Sequence, residues 1–114
     1  MRQEREESSL RTFTENIAAL LRAGKLEQAR LEIATAMASH VDAPEPHNLL
    51  GICDEQDGDL QAARKHYRAA YALDPTYKPC CNNLERITSF IFSTKITDVD
   101  FGDGAERPEN ASKK

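Results

Sequence analysis

Two stretches of this sequence, Gly24–Ala38 (GKLEQARLEIATAMA) and Gly58–Ala72 (GDLQAARKHYRAAYA), repeat one another at a spacing of 34 residues. Six of the fifteen aligned positions are identical, and Ile33 aligns with Tyr67, so that one large apolar residue replaces another. A fixed period of this kind indicates an array of helical repeats, in which each unit buries its apolar face only by stacking on the next. The repeat therefore predicts an all-α fold.

The rest of the chain extends this pattern on both sides. Apolar residues recur at helical spacing in five segments, and Gly, Asp and Pro separate them. Ser8 and Ser9 are candidate caps for the first helix, and Asp59 is one for the fourth. The predicted helices are, in order, about residues 10–23, 25–39, 45–57, 59–73 and 77–92.

The stretch from His47 to Pro75 resembles a tetratricopeptide repeat. Leu50-Gly51, Ala63, Tyr67, Ala70 and Pro75 stand in the register of that motif, whereas His47 and Asp54 occupy its two usual aromatic positions. The unit before it is looser, and the unit after it has only its first helix. The resemblance covers residues 10–92 and implies a short helical-repeat array of antiparallel helix pairs with a C-terminal capping helix.

The resemblance also implies where a ligand binds. In this family the first helices of successive units line a concave face that holds a peptide or a partner helix. Asn48 and Asn82 are 34 residues apart, which predicts that they lie side by side and clamp a peptide backbone; the alternative is that both are solvated polar residues. By register, the predicted partner-binding residues are Thr14, Ala18, Leu21, Asn48, Ile52, Glu55, Asn82, Arg86 and Ser89.

The two ends of the chain differ from its middle. Residues 1–9 are charged and are predicted to be an extension of the domain at 10–93, without the apolar core of a signal peptide. Residues 94–114 are rich in Asp, Gly, Pro, Asn and Ser, which predicts a flexible tail. Ile96, Val99 and Phe101 are spaced by acids within it, so a second interpretation is that the tail folds back over the concave face.

Composition and motifs exclude several function classes. The net charge of −4 argues against nucleic-acid binding, and no apolar run is long enough to span a membrane. Three cysteines, two of them adjacent, predict free thiols and a cytoplasmic location. The cysteines and histidines lack the close pairs that zinc sites use, and no catalytic motif is present. We therefore expect no metal, no cofactor and no enzymatic activity.

The interpretation favoured by the sequence is a protein-binding adaptor, with a peptide or protein as its partner. A second hypothesis is a self-associating, chaperone-like assembly subunit, because Phe90, Ile91 and Phe92 at the end of the last helix could join two copies in a homodimer. A cluster of acidic residues at the end of the third helix also has two interpretations. It is either a solvated turn or a site where a partner supplies cations; its members are Asp54, Glu55, Asp57 and Asp59.

Overall fold

The computed structural model describes residues 3–89 and 92–105. Within them the chain forms five helices and no strand, which confirms the predicted all-α helical-repeat array. The helices are α1 (Glu4–Arg22), α2 (Leu26–Ser39), α3 (Glu45–Gln56), α4 (Leu60–Leu73) and α5 (Lys78–Thr88).

The connections make α1 with α2, and α3 with α4, into antiparallel pairs. Gly24 and Gly58 lie in the two short turns, with φ of +76° and +82°. Only glycine adopts such a backbone angle without strain, so the same residue ends the first helix of both pairs. α3 packs against α2 as well as α4, and α5 packs on α4. The pairs therefore stack in sequence order, as the repeat predicted.

The repeated residues form the core between the helices. Ala29 and Ala63 are fully buried at equivalent positions, and Ile33 and Tyr67 are buried between their neighbours. Gly51 lies against the ring of Tyr67, and a Cβ atom at Gly51 would overlap that ring. Small residues thus allow α3 and α4 to approach closely, and the tyrosine ring fills the space that the glycine leaves.

The first helix begins earlier than predicted. Residues 4–9 belong to α1, so Ser8 and Ser9 lie inside the helix and do not cap it. Glu4, Glu6 and Glu7 stand in its first turn, where negative charge stabilises a helix N-terminus. These residues are therefore part of the folded domain and not an extension of it.

The last helix ends earlier than predicted, at Thr88 instead of residue 92. The hydroxyl of Thr88 donates to the carbonyl of Leu84, that of Ser89 donates to the carbonyl of Glu85, and Ser89 itself has extended backbone angles. Phe90 and Ile91, which the self-association hypothesis uses, lie outside the described residues. Phe92 is described and is about half exposed.

The chain after α5 corrects a further prediction. Residues 92–105 are here named the C-terminal segment. Residues 94–114 were predicted to be a flexible tail, yet Val99 and Phe101 are each only 2% exposed and belong to the main hydrophobic core. Their burial contributes apolar contact that a solvated tail would lack. The rest of the predicted tail, residues 106–114, lies outside the described residues.

Candidate protein-binding groove

The predicted binding residues lie on α1, α3 and α5, and the surface that these three helices share is named the inner face here. Most of the predicted residues are not open to solvent. Asn82 and Arg86 are partly buried, and Ser89 is exposed and bonded back to its own helix. The buried members are Thr14, Ala18, Leu21, Asn48, Ile52 and Glu55.

The C-terminal segment lies against the inner face, and Asp100 is its best-held residue. Asn83 donates from Nδ2 to the Asp100 carbonyl at 2.8 Å and accepts the Asp100 backbone N–H at 2.7 Å. Asn48 donates to the same carbonyl at 3.1 Å and accepts from Asn83 at 2.9 Å. Asn82 donates to the Asp100 carboxylate at 2.8 Å. Asparagines of α3 and α5 thus clamp the backbone of an irregular segment at Asp100, and the segment belongs to the chain itself.

The clamp differs from the prediction in one residue. Asn48 contacts Asn83, not Asn82, although Asn82 is the residue exactly one repeat away in sequence. The buried face of α5 is likewise Cys80, Asn83 and Ile87. Neighbouring positions on a helix point about 100° apart, so α5 is rotated relative to the register of α3. The rotation leaves Cys81 and Leu84 only partly covered.

A buried ion pair supports the other end of the segment. Arg86 meets Glu55 through two hydrogen bonds of 2.9 and 2.6 Å, and both side chains are almost fully buried. Tyr67 donates its hydroxyl to the same carboxylate. Arg86 also donates to the carbonyl of Ser93 at 2.5 Å. The pair therefore links α3, α4 and α5, and Arg86 also donates to Asn83 at 3.1 Å and to the backbone of the C-terminal segment.

Burial and the contacts with Glu55 shift the pKa values of Tyr67 and Arg86. Burial first, and the charge and hydrogen bond of Glu55 next, raise the pKa of Tyr67 well above its ordinary value. Burial alone would lower the pKa of Arg86, but the hydrogen bonds and charge of Glu55 outweigh it, and the net change is upward. Tyr67 therefore stays neutral and Arg86 stays charged at neutral pH.

Arg22 of α1 covers the far end of the segment. Its guanidinium lies 4.2 Å above the ring of Phe101 and pairs with Asp103 at 2.7 Å. Partial burial, the largest single effect, would raise the pKa of Asp103, but the hydrogen bond and charge of Arg22 and the hydrogen bond from the Ala105 backbone together lower it below its ordinary value. The carboxyl is therefore charged at neutral pH. The segment consequently touches all three helices of the inner face, at Arg22, at Asn48 and at the Asn82–Arg86 stretch.

The acids at the end of α3 find their partners within the chain. Asp54 accepts from Arg30 at 3.1 Å and contacts His66 at 2.5 Å, and Arg30 also reaches Asp57 at 2.5 Å. Asp59 accepts from the backbone N–H of Ala62, which confirms it as the cap of α4. This cluster joins α2, α3 and α4. Neither interpretation of this acidic cluster from the sequence included Arg30 or His66 of the same chain as its partners.

Other chemistry is sparse on this surface. Cys53, Cys80 and Cys81 are free thiols, and burial raises the pKa of Cys53 to about 11. Residues 3–89 and 92–105 hold no group of three His, Cys, Asp or Glu side chains arranged to bind a metal. None of the helices in the same ranges combines the length and the apolar character that crossing a bilayer requires.

Sequence reasoning missed the residues that hold the segment most directly. Asn83, Arg22 and Asp100 were not among the predicted site residues, because a strict 34-residue register selects Asn82 and because the tail was read as flexible. The available signal was the spacing of Ile96, Val99 and Phe101 between acids. That spacing indicated an extended segment with apolar contacts, but it did not identify the surface that receives it.

Comparison with known proteins identifies the repeat. Residues 44–77 match the model of the tetratricopeptide repeat family, which confirms the resemblance seen in the sequence. The chain is also 36% identical over 61 residues to a Pseudomonas putida protein named "Probable biofilm formation methyltransferase WspC". That alignment covers 54% of this chain and 14% of the relative. No solved structure shows significant similarity to the chain.

Proposed function

We propose that this chain, which carries a tetratricopeptide repeat at residues 44–77, is an adaptor whose inner face binds an extended segment of another protein. Repeats of this family mediate protein–protein interaction. One observation supports the choice of surface. The inner face already binds an irregular segment of the chain through Asn48 and Asn83, and those bonds go to the backbone of Asp100. Backbone readout of this kind accepts a segment from any polypeptide that fits.

In this proposal the C-terminal segment competes with the partner. A tethered segment acts at an effective concentration of about 1 mM when its linker is short. A free segment that binds the empty groove with a Kd of about 10 μM would therefore bind the intact chain about 100-fold more weakly. The adaptor is thus held closed until a tighter or more concentrated partner displaces residues 92–105.

The test uses the full-length chain with the segment loosened. The substitutions Val99→Ala and Phe101→Ala remove the two apolar anchors of the segment and leave the inner face unchanged; this variant is named the opened chain. A synthetic peptide of residues 93–105 is titrated into the opened chain and into the wild type by calorimetry. We expect micromolar binding to the opened chain and about 100-fold weaker binding to the wild type.

Two further measurements make the result decisive. Asn83→Ala in the opened chain removes one of the two clamping asparagines and should weaken binding about 10-fold or more, because two hydrogen bonds to the part-buried Asp100 backbone are lost. If the opened chain unfolds partly, the peptide should raise its melting temperature, since ligands stabilise the folded state that they bind. Peptide that neither binds the opened chain nor stabilises it would contradict the proposal.

We propose a non-catalytic role for the chain. Tetratricopeptide repeats are typically binding modules, and the similarity to the methyltransferase covers only 14% of that protein. In this proposal the chain works together with enzymes, as a non-catalytic module that positions other proteins. Methyl transfer by the purified chain to any protein substrate would contradict it.

Self-association is the alternative function. Tyr71 is half exposed and lies beside Cys81, Leu84 and Thr88, which leaves an apolar strip on the outer side of α4 and α5. A second copy would cover that strip in a dimer. Light scattering of the wild type and of Tyr71→Ser tests this alternative. A wild-type dimer that the substitution converts to monomer would support it, and a monomeric wild type at high concentration would eliminate it.

A further inference from the structure

We infer that the inner face selects partner segments with the pattern apolar–Asp–aromatic–Gly–Asp, which is the chemistry of residues 99–103. This inference rests on the proposed function, because it assigns the partner class of the same groove. The partner is a separate protein that carries such an acidic, aromatic segment and adopts the same turn at the glycine. Three contacts of the resident segment define the preference, and each involves a side chain outside the asparagine clamp of Asn48 and Asn83.

The first contact selects the acid at position 100. Its Oδ2 atom accepts from Asn82 at 2.8 Å, and its Oδ1 atom accepts the backbone N–H of Gly102 at 3.0 Å. One carboxylate therefore binds the inner face and also braces the turn that follows it. An asparagine at this position has one side-chain oxygen, so it would keep only one of the two hydrogen bonds. An alanine would keep neither of them.

The second contact selects an aromatic residue followed two positions later by an acid. Arg22 stacks on Phe101 and pairs with Asp103 at the same time. A planar guanidinium provides a flat face for a ring and, at its edge, donors for a carboxylate. Phe101 is 2% exposed, so its ring also fills a space in the core that a smaller side chain would leave empty.

The third contact selects glycine at position 102, for two independent reasons. Its φ of +80° lies in the region that disfavours every other residue. A Cβ atom there would also overlap the hydroxyl of Tyr77 and would lie 3.3 Å from Cγ of Pro79. Backbone conformation and available space thus exclude the same substitutions. By contrast, Thr97 is exposed, and its side chain should have no influence on selection.

The experiment is a competition series with the opened chain (Val99→Ala, Phe101→Ala) and a fluorescent peptide of residues 93–105. Unlabelled competitors carry Gly102→Ala, Phe101→Leu or Asp103→Asn, and a Thr97→Ala peptide is the matched control. We expect the control to equal the parent peptide. The Gly102→Ala competitor should be at least about 30-fold weaker, and each of the other two about 3- to 10-fold weaker.

A reciprocal substitution assigns the readout to Arg22. In the opened chain with Arg22→Gln, the parent peptide and the Asp103→Asn peptide should bind equally, because the charge partner is gone. If Arg22→Gln instead weakens the binding of both peptides by the same factor, the preference for Asp103 is retained. Arg22 would then be only structural, and its role in selection would be overturned.

The outcomes separate this inference from the proposed function. If the parent peptide binds and all competitors bind like the control, the groove is a binding site without this preference, and the inference fails alone. If the parent peptide does not bind the opened chain, both proposals fail. Wild-type dimers that dissociate when the peptide is added would show exchange of residues 92–105 between copies, and they would overturn the assignment to a separate partner.

Discussion

Asn83 and Asp100 form a reciprocal pair of hydrogen bonds: the Asn83 side-chain amide donates to the Asp100 carbonyl at 2.8 Å, and its oxygen accepts the Asp100 backbone N–H at 2.7 Å. One side chain thus satisfies both polar groups of one backbone residue, as a neighbouring strand would in a sheet. The all-helical array thereby holds an irregular segment, and no strand forms in the described residues.

The first prediction concerns that pair. Asn83→Ala should destabilise the folded chain by about 1–3 kcal/mol, because it removes the acceptor of the part-buried Asp100 N–H and one of the two side-chain donors to the Asp100 carbonyl. Asn82→Ala is the matched control, since Asn82 reaches only the partly exposed carboxylate of Asp100 and its loss should cost about 0.5–1 kcal/mol. Urea unfolding of the three proteins measures both changes. Equal effects of the two substitutions would contradict the assigned role of Asn83.

The second prediction concerns the buried ion pair of Arg86 and Glu55. Arg86→Gln should destabilise the chain by about 3–5 kcal/mol, because it leaves the Glu55 carboxylate buried without its compensating charge. The double variant Glu55→Gln, Arg86→Gln should recover part of that loss, since neither charge then remains in the interior. Chemical denaturation compares the two variants. A double variant less stable than the Arg86→Gln variant would contradict the prediction, because removing the Glu55 charge would then recover no stability.

The third prediction concerns the fit of Gly51 to Tyr67. Alanine favours a helix over glycine by about 0.5–1 kcal/mol, but overpacking costs about 1–3 kcal/mol. Because a Cβ at Gly51 would overlap the Tyr67 ring, Gly51→Ala should destabilise the chain by about 1–2 kcal/mol.

A double-mutant cycle tests the cause of that effect. The equivalent residues of the first unit, Ile17 and Ile33, are both buried, so a smaller residue at position 67 should accept a larger one at position 51. Tyr67→Ile combined with Gly51→Ala should show a coupling of about 1 kcal/mol in favour of the pair. Strict additivity of the two substitutions would rule out the contact as the cause.

The fourth prediction concerns pH. Burial first, and the nearby His66 next, lower the pKa of His47 from 6.5, and its Nδ1 atom is buried without a hydrogen-bond partner among the described residues. Below pH 6.5 the unfolded chain therefore binds a proton at His47 that the folded chain does not yet bind. Stability should consequently fall as the pH decreases through that window.

His47→Phe isolates this contribution. The phenyl ring keeps the shape, removes the buried nitrogen, and restores the aromatic residue that tetratricopeptide repeats usually carry there. We expect it to stabilise the chain by about 1 kcal/mol at pH 7 and to reduce the loss of melting temperature between pH 6.5 and 5. An unchanged pH profile would assign the proton uptake to another group.

The sequence predicted most of the helical array because its information is local and repeated. The 34-residue register of Ala63 and Ala70 with their counterparts in α2 identified which faces are buried, and Gly24 and Gly58 identified the turns. Boundaries were less accurate. The start of α1 depends on an acidic first turn with no apolar pattern, and the end of α5 depends on Ser89 adopting an extended conformation.

The groove was predicted only in part, for a physical reason. Periodicity assigns residues to a face of a helix; it assigned Asn48 and Glu55 to the partner-binding concave face, and in the structure both are buried. It could not predict that α5 is rotated so that Asn83 points inward. Nor could it identify the partner of Asp100, because contacts between an irregular segment and a helical array depend on tertiary packing that leaves no period in the sequence.

The most direct measurement of the central claim is native-state hydrogen exchange at the backbone amide of Asp100. In the wild type this amide donates to the buried side chain of Asn83, so we expect it to exchange at least about 100-fold more slowly than in the free 93–105 peptide. The Asn83→Ala variant should lose most of that protection while amides of α3 keep theirs. An Asp100 amide that exchanges at the rate of the free peptide in the wild type would contradict the claim that the chain holds its own segment in the groove.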